Sequence, residues 1–134
     1  MKKKILQTVL IICFLLILLP MSVLGKNADP AQLQLGYLSN YGIAFDISPK
    51  GNANITAYVY GNGETKSTYI HLILQQQTKP NHWEKIMSWR VFPKTRCANV
   101  VETYSLTKGT YRIKAILKAN EEEKILYSDV LTFE

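Results

Sequence analysis

Cysteine is scarce in this sequence, which has two in 134 residues, Cys13 and Cys97. Cys13 lies inside an apolar N-terminal run, so an exported domain would keep Cys97 alone. This excludes an internal disulfide and the cysteine pairs of a structural zinc site. Cys97 is then either an unpaired thiol with no further role or a thiol that pairs between chains. The hydrophobic core has to hold the fold together.

Motifs that carry catalysis or bind cofactors are also missing. The two histidines, His71 and His82, stand in no metal-binding spacing. There is no Gly-x-Ser-x-Gly elbow, no phosphate-cradling loop and no dinucleotide fingerprint. We therefore predict no catalytic residue, no metal site and no cofactor. The alternative is a small secreted hydrolase, which would need dispersed acids such as Asp46 and Glu102 to converge in a cleft.

Strong basicity is lacking once the N terminus is set aside. The net charge of +6 includes Lys2, Lys3 and Lys4, and without these three the 16 basic residues become 13 against 10 acidic ones, a net charge of +3. Nucleic-acid-binding domains carry more positive charge than this, and they cluster it. Nucleic acid is therefore not expected as a partner.

Residues 1–25 have the three parts of an export signal: a basic start, an apolar run from Ile5 to Leu19, and a breaker region, residues 20–25, in which Val23 and Gly25 suit the positions before a cleavage site. We predict a signal peptide that is cleaved before Lys26, and a secreted or extracellular protein. The alternative is an uncleaved anchor, because residues 5–24 approach the roughly 20 residues that span a bilayer. The protein would then be membrane-anchored with its domain outside.

The remainder consists of short alternating runs without a helical pattern. Residues 26–42 show no period and are predicted to be an irregular lead-in or linker, and residues 43–134 a single domain. Seven strands are predicted, at residues 43–47, 53–60, 68–76, 83–92, 98–106, 110–118 and 125–133. Turn signals at a spacing of roughly 8–12 residues indicate an all-β, about seven-stranded immunoglobulin-like β-sandwich, with a β-barrel as the alternative.

A tight corner precedes the sixth predicted strand. Gly109 supplies backbone freedom, and Tyr111 is placed so that its hydroxyl can reach back to the backbone a few residues upstream, as in a tyrosine corner. Alternation along the strands predicts which side chains form the core. These are Ile55, Val59, Leu72, Leu74, Tyr111, Ile113 and Ala115.

A binding surface is predicted on the third, fourth and sixth strands, if they share a sheet. Arg112, Lys114 and Lys118 must lie on one side of their strand. The full candidate surface is Tyr69, His71, Trp83, Trp89, Arg112, Lys114 and Lys118. Aromatic and basic residues together suit an anionic cell-wall polymer, a glycan or another protein. The alternative is that the tryptophans pack in the core and the lysines only solvate the sheet. Ile86 breaks the alternation of the fourth strand, which would allow a β-bulge there.

Three runs resemble a known kind of domain: GNANITAYVYGNGETKSTYIHLILQQQ, HWEKIMSW and LTKGTYRIKAIL. Their order resembles that of the small secreted immunoglobulin-like or fibronectin-III-like domains of Gram-positive bacteria, many of them in families of unknown function. The resemblance covers residues 43 to 134 and implies the architecture and export. It implies no active-site residue, and the chain departs from antibody-type domains because it lacks their paired cysteines.

Overall fold

The computed structural model describes residues 36–134, which contain eight strands joined by turns. The strands are β1 (Leu38–Ile47), β2 (Asn52–Gly61), β3 (Thr68–Lys79), β4 (His82–Val91), β5 (Cys97–Ser105), β6 (Gly109–Ala119), β7 (Glu122–Tyr127) and β8 (Leu131–Phe133). Within this part of the chain, no helix is long and apolar enough to cross a membrane. The predicted signal peptide lies outside the described residues.

The strands form two antiparallel sheets. The three-stranded sheet has the order β1-β2-β5, and the five-stranded sheet has the order β4-β3-β6-β7, with β8 beside the start of β6. In immunoglobulin-like sandwiches the first, second and fifth strands face the third and sixth in the same way. The predicted all-β, immunoglobulin-like sandwich is therefore confirmed, and the third, fourth and sixth strands do share a sheet.

The core lies between the sheets and follows from alternation. In β2, Ala53, Ile55, Ala57 and Val59 are fully buried, while the residues between them face outward. Alternate residues of a strand point to opposite faces, so one apolar face of each sheet meets the other. Every predicted core residue is buried, namely Ile55, Val59, Leu72, Leu74, Tyr111, Ile113 and Ala115.

The predicted corner before β6 is present. Tyr111 is only 1% exposed, and its hydroxyl donates a hydrogen bond to the carbonyl oxygen of Thr107 over 2.6 Å. A Cβ at Gly109 would lie 2.6 Å from the side-chain nitrogen of Gln76 and 3.1 Å from the hydroxyl oxygen of Tyr111, so glycine leaves room for the phenol. The corner thus satisfies a buried phenol with a backbone acceptor four residues upstream.

The strands depart from the predictions most at two places, apart from shifts of one to three residues at other ends. β1 begins at Leu38, so the end of the predicted lead-in is part of the sheet. Gly42 interrupts the alternation of apolar and polar residues in the sequence of β1. The strand has glycine at this position because the ring of Tyr58 lies against its backbone. The predicted seventh strand is two strands, β7 and β8. They separate at Ser128, whose Oγ accepts a hydrogen bond from the backbone N–H of Ile113 in place of a ladder partner.

Candidate binding surface

The outer face of the five-stranded sheet, turned away from the core, carries the predicted surface. Residues directly opposite in an antiparallel pair share a face, so the register arranges these side chains in rows across the sheet. The rows are Tyr69–Lys118–Glu123, Arg90–His71–Ile116–Ile125, Ser88–Ile73–Lys114–Tyr127, Lys85–Gln75–Arg112 and Trp83–Gln77. The structure therefore brings together six of the seven predicted residues, and Trp89 is the exception.

Positive charge dominates this face. Lys118 forms an ion pair with Glu123 at 2.8 Å, and within residues 36–134 the other cations of the face form none. Those four cations are Lys85, Arg90, Arg112 and Lys114. We call this set of four the basic face. It flanks β3 on both sides, with two cations on β4 and two on β6.

The outer face of the three-stranded sheet is different. Its outward side chains are mostly neutral, and they include Asn54, Thr56, Asn99 and Thr103. Asp46 is a charged exception, and its carboxylate accepts a hydrogen bond from the amide of Asn54. Cations are therefore segregated onto one of the two broad faces of the sandwich.

Arg112 is the most restrained cation of the basic face. Its guanidinium carbon lies 4.2 Å from the ring centroid of Trp83 and 4.6 Å from that of Tyr127. The strand order places these two rings on opposite sides of β6. Nε of Arg112 also donates a hydrogen bond to Oε1 of Gln75 over 2.9 Å. We call Arg112, Trp83, Tyr127 and Gln75 together the arginine clamp. Within residues 36–134 the Nη groups of Arg112 have no hydrogen-bond acceptor.

His71 lies at the centre of the outer face but is only 9% exposed. Its ring meets the edge of Tyr69, and its neighbours across the strands are Arg90 and Ile116. Nε2 is buried and has no partner among the described residues. Burial lowers the pKa of His71, and the positive charges of Arg90, Lys85 and Lys114 lower it further. The imidazole is therefore neutral near pH 7. The sequence predicted an exposed residue on the surface of the strand, whereas His71 is covered by its neighbours.

The prediction that Trp89 lies on this surface is wrong, and a β-bulge is the reason. Leu74 pairs with Met87 but Gln75 pairs with Lys85, so Ile86 is an extra residue in β4. The bulge reverses the alternation, which leaves Trp83 on the outer face and turns Trp89 inward. Trp89 instead contacts Tyr104 of the other sheet, with ring centroids 6.3 Å apart and the planes nearly perpendicular.

A depression of about 750 Å³ lies at the other end of the outer face. Its lining includes Tyr69, Arg90, Phe92, Ile116, Lys118 and Glu123. Phe92 is 66% exposed, and its ring meets the edge of Tyr69. The ammonium group of Lys118 lies 5.8 Å from the ring centroid of Tyr69, which completes a mixed aromatic and charged rim.

The two acids named for a hydrolase do not converge. Asp46 pairs across the sheet with Asn54 on the outer face, whereas Glu102 lies opposite Ile55, whose side chain is in the core. Adjacent strand positions alternate between faces, so these carboxylates lie on opposite sides of the three-stranded sheet. Among residues 36–134, no group of three or more His, Cys, Asp or Glu side chains is arranged to hold a metal ion. Cys97 is free and exposed on β5.

No family model, curated protein or solved structure matches the chain. The resemblance to small secreted domains of Gram-positive bacteria therefore stays a prediction.

Sequence reasoning missed four contributors to this surface: Lys85, Arg90, Gln75 and Tyr127. Lys85 and Arg90 fall on the same face only because of the bulge in β4. Tyr127 could have been found from alternation, since Ile125 and Tyr127 share one side of β7. Gln75 carried no signal by itself, because its role depends on Arg112 being its partner across the strands.

Proposed function

We propose that this protein is a secreted or cell-surface binding module without catalytic activity, and that its basic face contacts an anionic partner. The observation that carries the proposal is the basic face itself, whose four cations have no acidic partner among the described residues. The cations lie on β4 and β6, the two strands that flank β3, and the repulsion among these like charges does not help the fold. An anionic partner would relieve the repulsion and would gain from all four charges.

The aromatic contacts of Arg112 favour an anionic partner. Trp83 and Tyr127 each turn one ring face to its guanidinium group, and Tyr127 is 52% exposed. These cation–π contacts hold the guanidinium group between the two rings. The clamp holds a positive charge in a fixed position, which serves the recognition of an anion directly.

Export is the second part of the proposal and depends on residues 1–25. Their basic, apolar and small-residue order is that of a signal peptide. N-terminal sequencing of protein recovered from the medium should give Lys26 as the first residue. A start at Met1 in a membrane fraction would replace secretion with anchoring by residues 5–24.

Binding of the full-length chain to immobilised anionic and neutral polymers tests the main proposal. We expect anionic polymers to bind, and their affinity to fall as the ionic strength rises from about 0.05 M to about 0.5 M. Arg112→Glu and Lys114→Glu should each weaken binding. Lys50→Glu and Lys108→Glu make the same charge change in exposed turns and serve as matched controls. The contact would lie outside the basic face if the control variants weakened binding as much as Arg112→Glu and Lys114→Glu do. The same would follow if the affinity did not change with ionic strength.

A further inference from the structure

We infer that anion binding at the basic face is coupled to the protonation of His71, so that a bound anion and a proton on this imidazole stabilise each other. This inference rests on the proposed function and adds regulation by pH to it. Three observations carry it: the position of His71 among the cations, a buried ring nitrogen without a partner, and the small number of carboxylates on this face.

His71 lies on β3, between the two pairs of cations that form the basic face. Arg90 is directly opposite it on β4. Lys114 is diagonally opposite it on β6, because Lys114 pairs with Ile73. Such diagonal neighbours are about 7–8 Å apart across an antiparallel pair, within reach of long side chains. A positive charge on this imidazole would therefore join the charges that an anion meets on the basic face.

The imidazole of His71 has no group that would hold a charge in place. An imidazolium ion carries an N–H at both ring nitrogens. Nε2 of His71 is buried and has no hydrogen-bond partner among the described residues, so the charged ring would have a donor there without an acceptor. Burial and the positive charges of Arg90, Lys85 and Lys114 lower its pKa. Without a bound anion, the ring therefore stays neutral near pH 7.

Carboxylates that could offset a charge on His71 are few on the outer face. Glu123 is paired with Lys118 at 2.8 Å, and Glu121 lies in the turn between β6 and β7, at the rim of the depression. The other charged or titratable side chains of this face are Tyr69 on β3, Lys85 and Arg90 on β4, Arg112 and Lys114 on β6, and Tyr127 on β7. Within residues 36–134 none of the four cations is paired with an acid, so the negative charge has to come from the ligand.

An anion on the basic face supplies this charge. It offsets the repulsion that Arg90 and Lys114 exert on a protonated ring, so binding raises the pKa of His71. Coupling between two ligands is reciprocal, and the proton increases the affinity for the anion by the same factor. The bound state therefore holds more protons than the free state. The affinity should rise as the pH falls through the ordinary histidine value of 6.5.

The test uses the full-length chain and dextran sulfate, whose sulfate esters keep their charge throughout the pH range measured. A His82→Gln background leaves His71 as the one histidine. At constant ionic strength, we expect the affinity to be at least about fivefold higher at about pH 5.5 than at about pH 7.5. Calorimetry in two buffers of different ionisation enthalpy should show proton uptake on binding. By NMR, the imidazole of His71 should titrate at a higher pH with dextran sulfate than without it.

Two substitutions of His71 in the same background serve as controls. His71→Phe keeps a ring and His71→Gln keeps a polar side chain, and neither can take up a proton. Both should bind dextran sulfate within about twofold of the parent at about pH 7.5, where His71 is neutral. Both should lose the proton uptake on binding and the rise in affinity at low pH.

The outcomes separate this inference from the proposed function. If dextran sulfate binds at neither pH at low salt, the proposed function fails and the inference fails with it. If the affinity is the same at both pH values, falls at the lower one, or rises equally in the His71 variants, the binding module stands and the coupling is wrong. Circular dichroism at both pH values identifies any variant that fails to fold. The NMR titration of the parent then decides without a substitution at His71.

Discussion

The hydroxyl of Tyr111 donates a hydrogen bond to the carbonyl oxygen of Thr107 across the turn between β5 and β6. This turn carries the chain from one sheet to the other, and the phenol that spans it is buried in the core. The hydroxyl of Tyr111 therefore links the path of the chain between the sheets to the packing between them, and it also lies 3.3 Å from Oγ1 of Thr107.

Tyr111→Phe should lower the free energy of unfolding by about 0.5–1.5 kcal/mol, because it removes this bond and leaves a carbonyl acceptor without its partner. Urea denaturation of the two proteins measures the difference. Tyr60→Phe is the control, since Tyr60 is 49% exposed and the same atom change there should cost less than about 0.5 kcal/mol. Equal costs at the two positions would mean that the corner contributes nothing specific.

Gly51 gives a prediction about backbone strain. Its φ is +81°, and a Cβ there would lie 2.6 Å from the ring of Phe133. Gly51→Ala should therefore destabilise the fold by more than about 1 kcal/mol, through both the left-handed backbone and the clash. Gly63→Ala is the matched control, because nothing lies within 4 Å of a Cβ at Gly63. A thermal melt in which both variants unfold together would refute the argument.

The β-bulge in β4 predicts that the two tryptophans contribute unequally to stability. Trp89→Ala removes a ring packed against the core and Tyr104, and should cost about 3 kcal/mol. Trp83→Ala removes a ring on the outer face and should cost about 1 kcal/mol or less. Chemical denaturation provides both values. If Trp83→Ala lowered the free energy of unfolding more than Trp89→Ala does, the assignment of Trp89 to the inside of the sandwich would be wrong.

His71 predicts a dependence of stability on pH. Burial and the charges of Arg90, Lys85 and Lys114 hold its pKa below the ordinary value of 6.5 in the folded protein. The unfolded chain then binds more protons than the folded one as the pH drops below 6.5, so the free energy of unfolding falls through that range. Above pH 6.5 this contribution is fully present. Urea denaturation from about pH 7.5 down to about pH 5 measures the slope.

His71→Phe should flatten that slope, because it removes the imidazole that takes up the proton. The chain has two histidines, so comparison with this variant assigns the imidazole resonances of His71 by NMR. The resonance of His71 should titrate below the ordinary value of 6.5. An unshifted His71 would contradict its burial among cations.

The alternation of apolar and polar residues predicts most of this fold, because in a strand that is buried on one face every second side chain points to the core. It located β2, β3 and β6 and their core residues, and the corner at Tyr111 followed from local sequence alone. Alternation fails where the backbone departs from the regular pleat. The extra residue Ile86 reverses the faces of β4, and only the pairing with β3 shows where the reversal falls.

The candidate surface was harder to predict because it depends on neighbours across strands. The position of Arg112 on an outward face followed from its own strand, but its stacking needs Trp83 and Tyr127 from two other strands. His71 faces outward by pattern and is buried by residues on β3, β4 and β6. Burial of this kind is a property of the assembled sheet, which a single run of sequence does not contain.

The bulge in β4 also gives the protein two separate fluorescent reporters. The chain has two tryptophans, and the bulge leaves one packed between the sheets and the other stacked on a guanidinium group. In the Trp83→Phe variant, the fluorescence emission of Trp89 should change when the protein unfolds and should not change when an anion binds. With Trp89→Phe, the emission of Trp83 should respond when a ligand displaces or tightens Arg112. One extra residue in an edge strand thus separates the optical signal of folding from that of binding.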